Sequence, residues 1–135
     1  MAHKAARPLS PHLGIWKWGP HMLVSILHRV AGDGMAIVGA IVFVWWLVAA
    51  ASGKEAYDGF MYVLNGWLGG AIGYILGVGL TWAFFQHMFS GLRHFVLDTG
   101  AGYDLKTNRT WSIALVTAAP VVTALVWLYI IFVRG

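Results

Sequence analysis

The chain is 135 residues long, 59% hydrophobic and 10% charged, with eight tryptophans, no cysteine and a formal net charge of +4. This composition excludes an ordinary soluble domain, which at such a length has too little interior for the apolar surface, whereas a bilayer accepts that surface on the outside of helices. Disulfides, thiolate zinc and iron–sulfur ligation by this chain are excluded with the cysteines, and the basic residues collect at the ends of apolar runs, a pattern of membrane topology and not of nucleic-acid binding.

From the N-terminus, Met1 to His21 is polar and lacks the apolar core of a cleavable signal peptide. The first run long enough to cross the roughly 20-residue hydrocarbon core is Met22 to Ser52, with Gly19-Pro20 as its start and Gly53-Lys54-Glu55 as its end. Within it, SILHRVAG sets Ser25, His28, Arg29 and Gly32 on one side of a helix. Asp33 stands one turn after Arg29 and is placed to pair with its guanidinium.

The second run, Met61 to Leu97, begins with Gly66, Gly69, Gly70, Gly73 and Gly77 in small-xxx-small spacing, which points to close packing on another helix. It closes on HMFSGLRH, where His87, Gly91 and His94 share a face. His87 lies about 9 Å inward of Arg93 at 1.5 Å per residue, among Phe84, Phe85, Met88 and Phe89. An imidazole at that depth needs a partner, and by residue type iron and a hydrogen-bonding side chain on another helix serve equally. Gly91, one turn on, leaves room beside it. Taken singly, Arg29 and Arg93 read as cations reaching anionic headgroups, Ser25 as a hydroxyl bonded to its own helix, and His94 as an interfacial histidine.

The third run is Trp111 to Val133, with Pro120 predicted to kink it. Lys4, Arg7, Lys17 and Arg29, with Arg93, Lys106 and Arg109, flank one face, against Lys54 and Arg134 on the other. The asymmetry puts the N-terminus and the second loop in the cytoplasm, with Trp16, Trp18 and Trp111 at that interface. The expected fold is an all-α integral membrane protein of three transmembrane helices forming a single domain over residues 1–135.

Taken together, these residues resemble the cytochrome b membrane-anchor subunit of succinate dehydrogenase, respiratory complex II. One signature is Arg-Pro followed by Ser-x-x-His-Arg, present as RPLSPHL from Arg7 and SILHR from Ser25. The other is His-x-x-x-Gly-x-Arg-His with an Asp four residues later, present as HMFSGLRH and Asp98. Ala31 stands where the family usually has Ser or Thr, Leu97 where it has an aromatic residue or Met, and Asp33 falls in a normally neutral stretch.

The resemblance implies a membrane anchor packed with a second anchor subunit into a helical bundle. By this likeness, flavin (FAD) and iron–sulfur partner subunits oxidise succinate and ubiquinone is reduced at the membrane. His87 is implied as an axial ligand of haem b iron, with the other ligand from the second anchor subunit. Ser25 and Arg29 are implied at the quinone, His28 and Arg29 at the haem propionates, and His94 near the haem. His28, expected near the interface and shallower than His87, then serves propionates and not iron. The expected location is a bacterial inner membrane in preference to a mitochondrial one. The anchor of a quinol:fumarate reductase and a non-redox scaffold or transporter subunit are the alternatives.

Overall fold

A chain inside a bilayer must satisfy its backbone groups internally, and the apolar runs do so as helices. The computed structural model describes residue 12 and residues 14–134, so Lys4 and the Arg7-Pro8 pair lie outside the described residues. Helix α1 (Pro20–Gly34) opens on Pro20, at a position where its missing N–H interrupts no bond. A π-helical turn, Met35–Gly39, carries it into α2 (Ala40–Ala51). Together they form a 32-residue span, Pro20–Ala51, longer than the hydrocarbon core requires. Gly53, at φ +100°, reverses the chain into α3 (Lys54–Met61), where Lys54 pairs with Asp58 one turn on.

The second run is not the continuous helix expected over 61–97. A π-helical turn (Tyr62–Gly66) and a 3-10 turn (Trp67–Gly70) follow α3, and Leu68, Gly69 and Gly70 take φ of 52°, 66° and 80° in succession. Glycine adopts this left-handed conformation without a Cβ penalty, while Leu68 accepts one of about 1–2 kcal/mol. The membrane helix proper is α4 (Ala71–Asp98). The glycine series therefore divides between two uses, the earlier members shaping the break and Gly77 serving the helix packing that the spacing suggests. Gly69 and Gly70 make the break, and Gly73 admits the Leu64 carbonyl, which a Cβ would meet at 2.6 Å. Gly77 seats the Trp127 ring, also 2.6 Å from an added Cβ.

Helix α5 (Leu105–Tyr129) starts earlier than the expected Trp111 because Asp104 caps it, accepting from the Thr107 backbone N–H at 3.1 Å and the Thr107 hydroxyl at 3.2 Å. These donors hold the Asp104 carboxyl below its ordinary pKa. Pro120 is exposed and α5 continues through it to Tyr129, so the proline does not end the helix.

Helices α1, α4 and α5 pack mutually, whereas α2 packs on α3 and, among the described residues, touches neither α4 nor α5. The buried positions of the three-helix contact are small or polar: Val24 and Ala31 on α1, Ala83 and Ser90 on α4, Ser112 and Ala119 on α5. Large apolar side chains such as Ile75, Phe95, Leu125 and Phe132 point outward, as they do where lipid and not water surrounds the protein. Three helices are long and apolar enough to cross a membrane, and the all-α three-span architecture expected from the sequence is the one observed.

Gly77 and Gly79 lie in the same helix but differ in what a methyl group would meet: Trp127 at the first, nothing within 4 Å at the second. Gly77→Ala must displace Trp127 and its Nε1–H bond to the Thr81 hydroxyl, 3.3 Å long. We expect it to lower the thermal midpoint of the assembled protein. Gly79→Ala gains about 1 kcal/mol of helix propensity and should leave the midpoint unchanged or raised. Equal effects in the melting curves would show that α4 and α5 do not meet through Trp127.

Candidate functional site

The two motifs converge where α1 crosses α4. Their imidazoles are stacked: the His28 and His87 ring centroids are 4.0 Å apart with an 11° interplanar angle. His94 joins them, its centroid 5.2 Å from that of His28 at 53°. The close approach depends on Gly32, because a Cβ there would lie 2.8 Å from His87 Cε1. Gly32, on the other helix, is thus the glycine that the His87 ring lies against. Gly91 faces His28 instead, 3.9 Å from an added Cβ.

His87 Nδ1 lies 3.1 Å from the His28 carbonyl oxygen. A carbonyl only accepts, so Nδ1 carries the proton and donates, and the lone pair resides on Nε2. A histidine that binds a metal through one ring nitrogen commonly donates the other N–H to a carbonyl in this way. Since the rings are stacked nearly parallel, the in-plane Nε2 lone pair of His87 is clear of His28. Stacked side by side, the two rings do not direct their nitrogens at a common point between them, so a single group held by both imidazoles would need one ring to turn. The separation expected between His28 and His87 is small, their ring centroids lying 4.0 Å apart.

His28 Nδ1 is buried and has no hydrogen-bond partner among the described residues. A buried nitrogen in that state calls for a group from outside the chain, or for water. His87 Nε2, with its lone pair free, is a donor of the kind that would hold haem iron, and the unpartnered His28 Nδ1 is one that would bond an acidic group; the space at Gly32 is taken by the His87 ring itself.

Ser25 and Arg29 stand one turn apart on α1, half-buried and exposed respectively. In the membrane helices, Thr81, Thr110, Ser112, Thr117 and Thr123 each bond the carbonyl one turn back. Ser25 makes no hydrogen bond to any described residue, so the self-satisfied hydroxyl expected of a lone membrane serine is not what is found. Arg29 forms no ion pair with Asp33; among the described residues the only salt bridge is Lys54–Asp58, on α3.

Arg93 departs most from its sequence reading. It is buried, not reaching for headgroups, and donates from Nη2 to Asn108 Oδ1 at 2.6 Å, tying α4 to the first turn of α5. Ser112 donates to the Asn108 carbonyl at 2.7 Å, one turn back within α5. Gln86 and Ser90, which sequence reasoning passed over, are fully buried on the same α4 face; their spacing with Arg93 is the readable signal.

Comparison with known proteins bears on this arrangement. The family model described as "Succinate dehydrogenase/Fumarate reductase transmembrane subunit" matches residues 3–127. The succinate dehydrogenase cytochrome b556 subunit of Paracoccus denitrificans is 34% identical over 131 residues, 97% of this chain and 96% of that one. The cytochrome b556 subunit of Rickettsia felis is 32% identical, covering 90% of each chain. The mitochondrial cytochrome b560 subunit of Mus musculus is 32% identical, covering 84% of this chain and 65% of that one. A match that runs through both histidine motifs and all three spans leaves one conclusion: the chain belongs to the succinate dehydrogenase/fumarate reductase transmembrane-subunit family.

Proposed function

We propose that this chain is the haem b-bearing membrane anchor of a succinate:quinone oxidoreductase. The observation that carries the reading is the His87 Nδ1 bond to the His28 carbonyl at 3.1 Å, which supports it by leaving Nε2 free as a donor to iron. His87 supplies one axial ligand, and a second anchor subunit supplies the other. His28 and Arg29 face the propionates, with His94 beside them. When bound, the haem supplies a one-electron redox centre within the membrane.

Ser25 and Arg29 bind ubiquinone. Succinate is oxidised in a flavoprotein subunit, and its electrons reach the membrane through an iron–sulfur subunit, so FAD and the clusters belong to partners. Each quinone takes two electrons and two protons. As charge develops on its carbonyl oxygen, the Ser25 hydroxyl and the Arg29 guanidinium donate hydrogen bonds to it. The direction from succinate to quinone is supported by the names of the relatives, which are succinate dehydrogenase subunits. The chain sits in a bacterial inner membrane with its N-terminus cytoplasmic, supported by seven Lys and Arg on that side against two on the other. Trp18 and Trp111, both exposed, then lie at the cytoplasmic interface.

His87→Leu removes the ligating nitrogen while keeping a side chain of similar bulk. In purified complex it should change the reduced-minus-oxidised spectrum, with loss of six-coordinate low-spin haem. An unchanged spectrum rules His87 out as ligand.

Ser25→Ala and Arg29→Lys should each lower succinate-driven quinone reduction. Loss of one charge-assisted hydrogen bond costs on the order of 2 kcal/mol, about thirtyfold in rate. Lysine keeps the charge but not the planar set of donors. Reduction of an artificial acceptor that draws from the peripheral subunits should persist in both. Parallel loss of the two activities would assign Ser25 and Arg29 to assembly.

A further inference from the structure

Four buried side-chain atoms lack a hydrogen-bond partner among the described residues: His28 Nδ1, both amide atoms of Gln86, and Ser90 Oγ. The haem reading accounts for His28. It does not account for Gln86 and Ser90, which face away from lipid and from any partner, each with 0% of its surface exposed in the isolated chain. A neighbouring subunit cannot reach atoms that this chain already encloses. Whatever satisfies them is inside the α1–α4–α5 contact.

Ser90 is singled out by its own helix class. Five other hydroxyls in the membrane helices turn back to the carbonyl one turn earlier, whereas Ser90 Oγ does not. Gln86 stands one turn before Ser90, and Cβ atoms so spaced are about 5–6 Å apart. That is a separation one small hydrogen-bonding molecule bridges. The adjoining helices bury small residues, Ala31 on α1 and Ser112 and Ala119 on α5. A metal ion does not suit the place, since no group of three His, Cys, Asp or Glu able to hold one occurs among the described residues.

We propose that Gln86 and Ser90 form an internal water site, sealed in the three-helix core on the turn of α4 that carries His87. Water needs two to four polar partners, and the pair offers amide donors, an amide carbonyl and a hydroxyl that both donates and accepts. Arg93 follows on the same face, and its bond to Asn108 closes the seam toward the α4–α5 loop. The site does not rest on the haem reading: the same two residues would hold the same water in a chain without haem.

The test is made on the assembled membrane complex, at a resolution where ordered waters are seen. We expect a density peak at about 2.7–3.2 Å from both the Gln86 amide and Ser90 Oγ. Empty density there, or a direct bond from either side chain to a backbone carbonyl, overturns the proposal. A double-mutant cycle on the same complex gives a second measurement. Ser90→Ala and Gln86→Leu each strand the water and should lower the melting midpoint by a few degrees, and the double variant should lose less than the sum of the two. Additive losses, or single variants that melt with the unaltered complex, contradict a shared ligand. The haem spectrum recorded alongside separates the two readings, since His87→Leu should change it without removing the water peak.

Discussion

The arrangement depends on how closely α1 can approach α4. In water the burial of apolar surface would draw the helices together, but in lipid that force is absent and contact rests on shape and hydrogen bonding. Gly32 supplies the shape: without a Cβ it lets the His87 ring lie where a methyl group would be 2.8 Å from it. The His28 carbonyl supplies the hydrogen bond, accepting from His87 Nδ1. The two act together, because the ring reaches that carbonyl only when it can lie against the glycine. Local sequence thereby sets tautomer, ring plane and the direction of a lone pair.

The same economy runs through the rest of the bundle. Trp127 seats on Gly77 and donates to Thr81, so α4 and α5 are joined by one vacancy and one hydrogen bond, as α1 and α4 are. At the loop end, Arg93 and Asn108 join α4 to α5 with a charge-assisted bond, in a place where solvent does not compete. Large apolar residues contribute little to these contacts and mostly face outward. The three-helix interior is therefore built of small and polar groups, and single atoms at named positions specify the packing.

The three spans were legible because length and hydropathy are properties of a run, and a bilayer acts on runs. The converging histidines were legible because helical spacing fixes which residues share a side. Features that need two helices at once were not. Arg93 looks like an interfacial cation until Asn108, fifteen residues away, comes within 2.6 Å. Gly91 and Gly32 are equivalent as glycines, and only the crossing geometry tells which one the His87 ring touches. The sequence WLGG from Trp67 to Gly70 suits close packing as well as a reversal, and backbone dihedrals decided for reversal. His28 was expected to stand apart from His87 because Asp33 interrupts the apolar run, but the crossing of α1 and α4 stacks the two rings with centroids 4.0 Å apart.

The π-helical turn at Met35–Gly39 separates more than two stretches of one span. On its N-terminal side the chain meets α4 and α5; beyond it, α2 has only α3 for company among the described residues. The first span is thus divided along its length, and its share of the histidine cluster, His28, lies in the part that packs on α4 and α5. The outward-facing Phe43 to Val48 stretch lies in the other part, beside α3. The outer surface of α2 is therefore free to vary in sequence without altering the contacts that stack His28 on His87, so the two parts of one membrane-length helix answer to separate constraints.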